Sequence, residues 1–215
     1  MEEKQWSRWL EYIKSFSPSA KYWTMPTTTQ EAFTLMQHLG KELEFLSKDI
    51  QYWHKCANTD FLTGLANRRR LIEEFNHQFT TFFSPIIVLF IDINGFKKLN
   101  DVYGHTTGDN ILCRLADKLS EYFHGCTITR LGGDEFVVAS HGKSTVYING
   151  KINKLKKHLS KQPVITTGKH RIYISVSVGI SIRKRASTEN KSNNIDLQKM
   201  LEEADLAMYK DKHVS

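Results

Sequence analysis

Two sets of carboxylates, each placed where a strand should end, are the first residues in this chain that could do chemistry. Asp92 closes the apolar run Ile86-Ile87-Val88-Leu89-Phe90-Ile91. That puts it at the C-terminal end of a buried strand, where side chains project into a crevice rather than a core. Asp134 and Glu135 follow Gly132-Gly133, a pair that permits positive φ and lets a phosphate approach bare backbone. Carboxylates brought together from separate strand ends suit Mg²⁺, a hard cation that takes oxygen ligands and completes its shell with substrate phosphates. Each feature alone has a plainer use, since an Asp after a strand can cap a helix and a Gly-Gly pair can simply turn a hairpin.

The stretch between them is suited to a nucleotide. Asn94-Gly95-Phe96-Lys97-Lys98 leaves the strand and enters a helix, so free backbone N–H groups can hold phosphate oxygens there, with Lys97 adding a point charge. Asn100 and Asp109 fall on two successive helices. A carboxylate accepts both donors of the guanine Watson–Crick edge, N1–H and N2–H₂, and an amide NH₂ meets O6. Adenine presents the reverse pattern, which makes an Asn with an Asp a sensible guanine reader. A helix cap or a surface contact is the plainer use of either.

Taken together these residues resemble a known family. Asp60-Phe61-Leu62-Thr63-Gly64-Leu65-Ala66-Asn67-Arg68-Arg69, Asp92-Ile93-Asn94-Gly95-Phe96-Lys97-Lys98-Leu99-Asn100-Asp101 and Gly104-His105-Thr106-Thr107-Gly108-Asp109 look like the opening motifs of GGDEF-domain diguanylate cyclases. Arg130-Leu131-Gly132-Gly133-Asp134-Glu135-Phe136 contains the complete name-giving signature. Ser177-Val178-Gly179-Ile180 and Ala204-Asp205-Leu206-Ala207-Met208-Tyr209-Lys210-Asp211-Lys212 match the closing motifs. The resemblance runs from about residue 59 to 212 and leaves residues 1–58 uncovered.

The resemblance implies a palm-like nucleotidyl cyclase that joins two GTP into cyclic di-GMP and releases two pyrophosphates. It implies Mg²⁺, with Mn²⁺ as a substitute, held by Asp92, the carbonyl of Ile93 and Asp134. Asn100 and Asp109 would read guanine, with Phe96 and His105 in the same nucleotide-contacting stretch. Lys97 and Lys212 would neutralise phosphate charge as pyrophosphate leaves. Asp134 or Glu135 would assist deprotonation of the attacking 3′-hydroxyl, and the resemblance does not choose between them. Each subunit would hold one GTP, so two must face each other in a homodimer. The alternative is a catalytically silent GTP-binding member that regulates a partner.

Three features depart from the family's pattern. Its inhibitory product site is an Arg-x-x-Asp set five residues before the signature, and those positions here are Phe123, His124, Gly125 and Cys126. Both charged members are missing. Asn94 replaces the second acid of the family's Asp-x-Asp element, and the sequence ends at Ser215, before a further phosphate-contacting Arg often found beyond the closing Lys.

The elements that must position these residues form an α+β domain over 59–215: a central, mostly antiparallel sheet flanked by helices. Asn67 to Phe79 reads as a helix and Pro85 to Asp92 as a buried strand. Asn94 to Tyr103 and Asp109 to Tyr122 read as helices, and Thr127 to Leu131 and Glu135 to Ala139 as a hairpin. Val146 to Leu159 reads as a lysine-rich amphipathic helix. Val164 to Thr167 pairs with one long strand, Ile172 to Ile182, across Gly168-Lys169, and Ile195 to Lys212 closes as a helix. Residues 1–58 form a separate helical segment. Trp6, Trp9, Leu10, Ile13 and Phe16 suggest one helix, broken at Pro18 and Pro26. Ala32, Met36, Leu39, Leu43, Leu46, Ile50 and Trp53 then alternate four and three apart, the period of a two-stranded coiled coil and so of a stalk over about 29–57. An amphipathic helix lying on its own domain is the alternative.

Composition narrows the setting. Of 215 residues 40% are hydrophobic and 25% charged, ordinary for a globular chain, and no apolar run approaches a membrane span. Three unpatterned cysteines, Cys56, Cys113 and Cys126, exclude a disulfide framework and point to a reducing, cytoplasmic setting. The net charge of +7 arises after residue 58, and Val137 to Thr188 holds eleven Lys or Arg and no acid. That region reads as a solvated face rather than a nucleic-acid surface, since no stacking aromatics are expected among the lysines. The partners expected are therefore GTP, a second copy, and an unidentified sensor or regulator.

Overall fold

The structure is a computed structural model that describes residues 27–78, 85–167, 170–183 and 196–214, together with residues 8, 11, 12, 14 and 15. It divides into two compact units, Met1–His54 and Lys55–Ser215. The helix expected around Trp6 to Phe16 lies almost wholly outside the described residues.

Helix α1 (Thr29–Asn58), which lies in the first unit up to His54, begins at a reciprocal cap. The Glu31 N–H donates to Thr28 Oγ1 at 3.2 Å, while the Glu31 carboxylate reaches back to accept the Thr27 N–H at 2.7 Å. The helix leaves Met36, Leu43, Ile50 and Trp53 of the seam each more than 60% exposed. Among the described residues no helix is long and apolar enough to cross a membrane.

The second unit is built from α2 (Arg68–Gln78), β1 (Ile86–Ile93), α3 (Phe96–Tyr103), α4 (His105–Tyr122), β2 (Thr127–Gly132), β3 (Glu135–His141), α5 (Thr145–Lys161), β4 (Ile165–Thr167), β5 (His170–Ile172), β6 (Val176–Arg183) and α6 (Leu197–Val214). The main sheet has the order β2-β3-β1-β6 with every neighbouring pair antiparallel, and β4 and β5 form a small ribbon.

β1 explains why its sequence is continuously apolar. All eight residues are buried, and the period of two sorts them onto two helical layers. Ile87, Leu89, Ile91 and Ile93 join Leu112 and Leu115 of α4 and Ile148 and Leu155 of α5. Ile86, Val88 and Phe90 join Leu71 and Phe75 of α2 and Met200, Ala204 and Met208 of α6. Helix α6 lies so close to β6 that a Cβ on Gly179 would sit 1.9 Å from the Ala204 carbonyl oxygen and 2.2 Å from the Met208 nitrogen. Only hydrogen fits there. At the outer side of β2, Ala66 donates its N–H to the Ile128 carbonyl at 3.2 Å and accepts the Arg130 N–H at 3.0 Å.

Two expectations need correction. The long strand Ile172 to Ile182 is two strands: β5 pairs with β4, and β6 pairs with β1. Residues 173–175 leave the ladder because one straight strand cannot pair with the ribbon and the main sheet at once; the turn at 168–169 lies outside the described residues. The second correction concerns the basic helix α5. An aromatic does interleave its lysines, because Tyr147 has Lys143 Nζ at 5.5 Å and Lys151 Nζ at 5.3 Å from its ring centre. Its π-face is thus engaged by cations of its own chain.

Candidate active site

Asp92 is the next-to-last residue of β1, with its side chain 12% exposed. β3 runs antiparallel to β1 with Glu135 opposite Asp92, so the two side chains stand on one face of the sheet. Gly133 turns the hairpin at φ 52°, a left-handed conformation that costs an L side chain roughly 1–2 kcal/mol. The β2–β3 register slips by one residue between Arg130 and Gly132, and such a bulge re-aims the residues beyond it. It brings Asp134 within reach of the Asp92 charge.

Arg130 locks that turn. Its Nε and Nη2 donate to the Gly133 carbonyl at 3.0 and 2.8 Å, and its Nη1 donates to Asp60 Oδ1 and Oδ2 at 3.0 and 3.2 Å. Asp60 also accepts the Thr63 N–H and hydroxyl at 2.9 and 2.6 Å. Burial opposes a charge on Asp60, but the Thr63 bonds and the guanidinium outweigh it and hold the carboxyl below its ordinary range.

At the neighbouring carboxylates the balance goes the other way. Burial pushes the Asp134 carboxyl up, and the Asp92 charge pushes it further. Glu135 is also raised, by burial first and then by Asp205, Asp134 and Asp92. Lys212, near the end of α6, donates from Nζ to Asp92 Oδ1 at 2.6 Å. Asp211 anchors the same turn, accepting from Lys156 Nζ at 2.6 Å and from the Val178 N–H at 3.0 Å.

This donor set fits a hard divalent cation. Asp134 is destabilised as an anion by its neighbour's charge, a conflict that a cation between the two carboxylates would relieve. The Ile93 side chain is buried in the core, which leaves its carbonyl as the group that could serve. Among the described residues no group of three or more His, Cys, Asp or Glu gathers to hold a metal. The chain therefore supplies a partial shell, of the kind that substrate phosphates complete around Mg²⁺. Asn94 is held by neighbours instead: it accepts the Ser177 hydroxyl at 2.8 Å and donates to Ser175 Oγ at 3.1 Å, tying the end of β1 to β6.

The nucleotide-reading candidates gather on α3 and α4. A Cβ added to Gly108 would lie 1.8 Å from Asn100 Oδ1, so Asn100 rests against the turn that carries Asp109. Asn100 Oδ1 is buried and has no hydrogen-bond partner among the described residues, an acceptor left open for something else to meet. Lys97, His105 and Asp109 are exposed. Phe96 packs its ring against the core. At the far end of α4, Phe123 is buried at 1% exposure. With His124, Gly125 and Cys126 it lines a cavity of about 900 Å³ that also includes Arg70 and Glu74, which pair with each other at 2.6 Å.

Several contributors left no mark in the sequence that assigned them a role. Asp60 and Arg130 stand in recognised motifs, but nothing local marks a pair 70 residues apart. Asp205 and Ser177 are likewise motif members only. Gly108 carried a signal, a glycine inside a helix beside a proposed reader.

The family model for the diguanylate cyclase GGDEF domain matches residues 57–215. The diguanylate cyclase DgcP of Escherichia coli is 34% identical over 168 residues, 72% of this chain and 44% of that protein. The signaling protein YkoW of Bacillus subtilis is 33% identical over 167 residues, 73% of this chain and 19% of that protein. The chain thus spans less than half the length of these curated relatives. In fold it is similar to the coiled coil and GGDEF domain of DgcB from Caulobacter crescentus, solved with c-di-GMP, at TM-score 0.75 and 22% identity over 86% of this chain and 95% of that one. A second fold neighbour, at TM-score 0.64 and 19% identity, is the diguanylate cyclase SiaD solved with its activator SiaC from Pseudomonas aeruginosa, covering 97% of this chain and 77% of that one. The signature turn, the strand-end carboxylates and the family model agree, and the chain belongs to the GGDEF diguanylate cyclase family.

Proposed function

We propose that this chain is an active diguanylate cyclase that condenses two GTP into cyclic di-GMP as a Mg²⁺-dependent homodimer. The reading is carried by the convergence of Asp92, Asp134, Glu135 and Lys212 at one end of the sheet. Asp92, the Ile93 carbonyl and Asp134 hold the cation. When bound, the cation offsets charge on the phosphates and orients the groups that react. Asn100 and Asp109 read guanine, and Lys97, His105, the backbone at Phe96 and Lys212 contact the rest of the nucleotide.

Each 3′-hydroxyl attacks the α-phosphorus of the facing GTP and displaces pyrophosphate, so two P–O bonds form and two break. Asp134 or Glu135 takes the hydroxyl proton. Without the cation, burial and neighbouring carboxylates hold both carboxyls above their ordinary range. Two sites on separate copies must meet, and the helix over about 29–57 acts as the stalk that pairs them. With Phe123 and Cys126 in place of the charged anchors, the product does not inhibit through that surface. The enzyme works in the cytoplasm under a sensor or regulator still to be identified.

Chromatography of the products formed from GTP and Mg²⁺ tests the reading. Cyclic di-GMP with two equivalents of pyrophosphate is the expected result. GTP bound but unchanged over hours would instead identify a silent GTP-binding member.

A further inference from the structure

Lys212 occupies a position that the proposed chemistry must vacate. Its Nζ lies 2.6 Å from Asp92 Oδ1, with the Asp92 side chain 12% exposed and that of Lys212 38% exposed. A carboxylate this enclosed, next to a second one, is costly to leave without a cationic partner. The ammonium is that partner here. A divalent cation needs the same carboxylate, and two cations drawn to it repel each other strongly at this range.

The backbone beneath Lys212 is anchored independently of its side chain. Asp211 is anchored both to Lys156 and to the Val178 N–H, which pins this turn of α6 onto β6. The lysine side chain beyond it is a flexible four-carbon stem reaching into partial solvent. It can therefore swing its charge without moving the helix.

We propose that Lys212 is a resident counter-ion of Asp92, released when a divalent cation binds and then taken up by the triphosphate, so that metal and nucleotide bind with positive coupling. The inference rests on the reading of Asp92 as a metal ligand. Metal alone must displace the ammonium and leave it without an anion. Nucleotide supplies new anions for it, so each ligand strengthens the other by the same factor.

The test uses the full chain and Mn²⁺, followed by electron paramagnetic resonance. Free Mn²⁺ is titrated with and without a GTP analogue carrying a methylene between the α- and β-phosphorus. Without nucleotide, Lys212→Met and Lys212→Gln should bind Mn²⁺ about tenfold tighter than the parent. The analogue should then improve Mn²⁺ affinity at least about fivefold less in these variants than in the parent. Lys98→Met, which removes an exposed lysine from α3, should change Mn²⁺ affinity by less than twofold. If both Lys212 variants bind Mn²⁺ no tighter than the parent, the counter-ion role is wrong. An equal gain in Lys98→Met would also overturn it, since the effect would then come from net charge alone. Asp92→Asn separates the two readings. Parent-like Mn²⁺ binding in that variant refutes Asp92 as a ligand and the counter-ion role with it. Loss of binding upholds the ligand, and the Lys212 variants then decide the counter-ion role by themselves.

Discussion

Arg130 Nη1 meets both oxygens of Asp60 at 3.0 and 3.2 Å, and the pair is nearly closed to solvent, at 10% and 14% side-chain exposure. The same guanidinium carries the Gly133 carbonyl on its other edge. One planar fork thus joins the loop after α1 to the turn that presents Asp134, and Asp60 supplies the charge that lets the fork stay buried.

Replacing Arg130 by Met should strand Asp60 as a buried, partly uncompensated charge, which costs about 3–5 kcal/mol. Arg130→Lys keeps the charge but cannot hold both partners, so it should recover stability more than activity. Urea denaturation measures the first effect and turnover of GTP the second. Asp60 also gives a pH signature. Its carboxyl lies below the ordinary range in the fold, so its contribution is fully present above about pH 4 and fades as pH falls through the lowered value. The stability gap between the parent and Asp60→Asn should therefore be widest near neutrality and narrow in acid.

Asp134 carries the opposite sign. Its carboxyl is raised by burial and by Asp92, so ionising it weakens the fold as pH climbs from about 4 through the raised value. In EDTA at neutral pH, Asp134→Asn should melt about 1–3 °C higher than the parent, a modest gain because solvent screens a half-exposed group. The gain should vanish below about pH 4, and the variant should make no cyclic di-GMP. A lower melting temperature at neutral pH would contradict the repulsion argued here.

Gly108→Ala probes the proposed guanine site without touching the strand-end carboxylates. The added Cβ would fall 1.8 Å from Asn100 Oδ1, the far end of a side chain that can turn away. Alanine also favours a helix by about 1 kcal/mol over glycine, so the melting temperature should hardly move. The displaced amide should raise KM for GTP about tenfold and shrink the preference over ATP, because a reader that has turned away no longer discriminates. Competition between the two nucleotides, read by product analysis, checks this.

On α1, Leu43 and Leu46 are 65% and 44% exposed. Lysine at both positions would set like charges in the seam. Sedimentation should then show separated chains, and specific activity should become steeply dependent on protein concentration. Unchanged activity across a wide dilution series would remove the stalk from the mechanism.

What the sequence made legible was local. The run ending at Asp92 and the hairpin around Gly132-Gly133 each announce themselves within about ten residues, by an apolar stretch and by turn chemistry. The seven seam residues from Ala32 to Trp53 likewise read as one helix from their spacing. Pairs formed across the fold left no such trace. Asp60 with Arg130, Lys156 with Asp211 and Lys212 with Asp92 are 70, 55 and 120 residues apart, and nothing local to either member of a pair points to the other. The division between β5 and β6 was hidden for a related reason. Alternation reports which residues face inward but not which strand lies alongside, so Ile172 and Val176 looked like one element although they serve two sheets.

The contacts of Ala66 along β2 and of Asp211 at Val178 have a consequence for how this protein meets other proteins. Open sheet margins recruit foreign strands and seed fibrils. Here the backbone at 128–130 and the amide of 178 are already bonded within the chain. At those points a crowded cell offers this domain little opportunity to polymerise edge to edge.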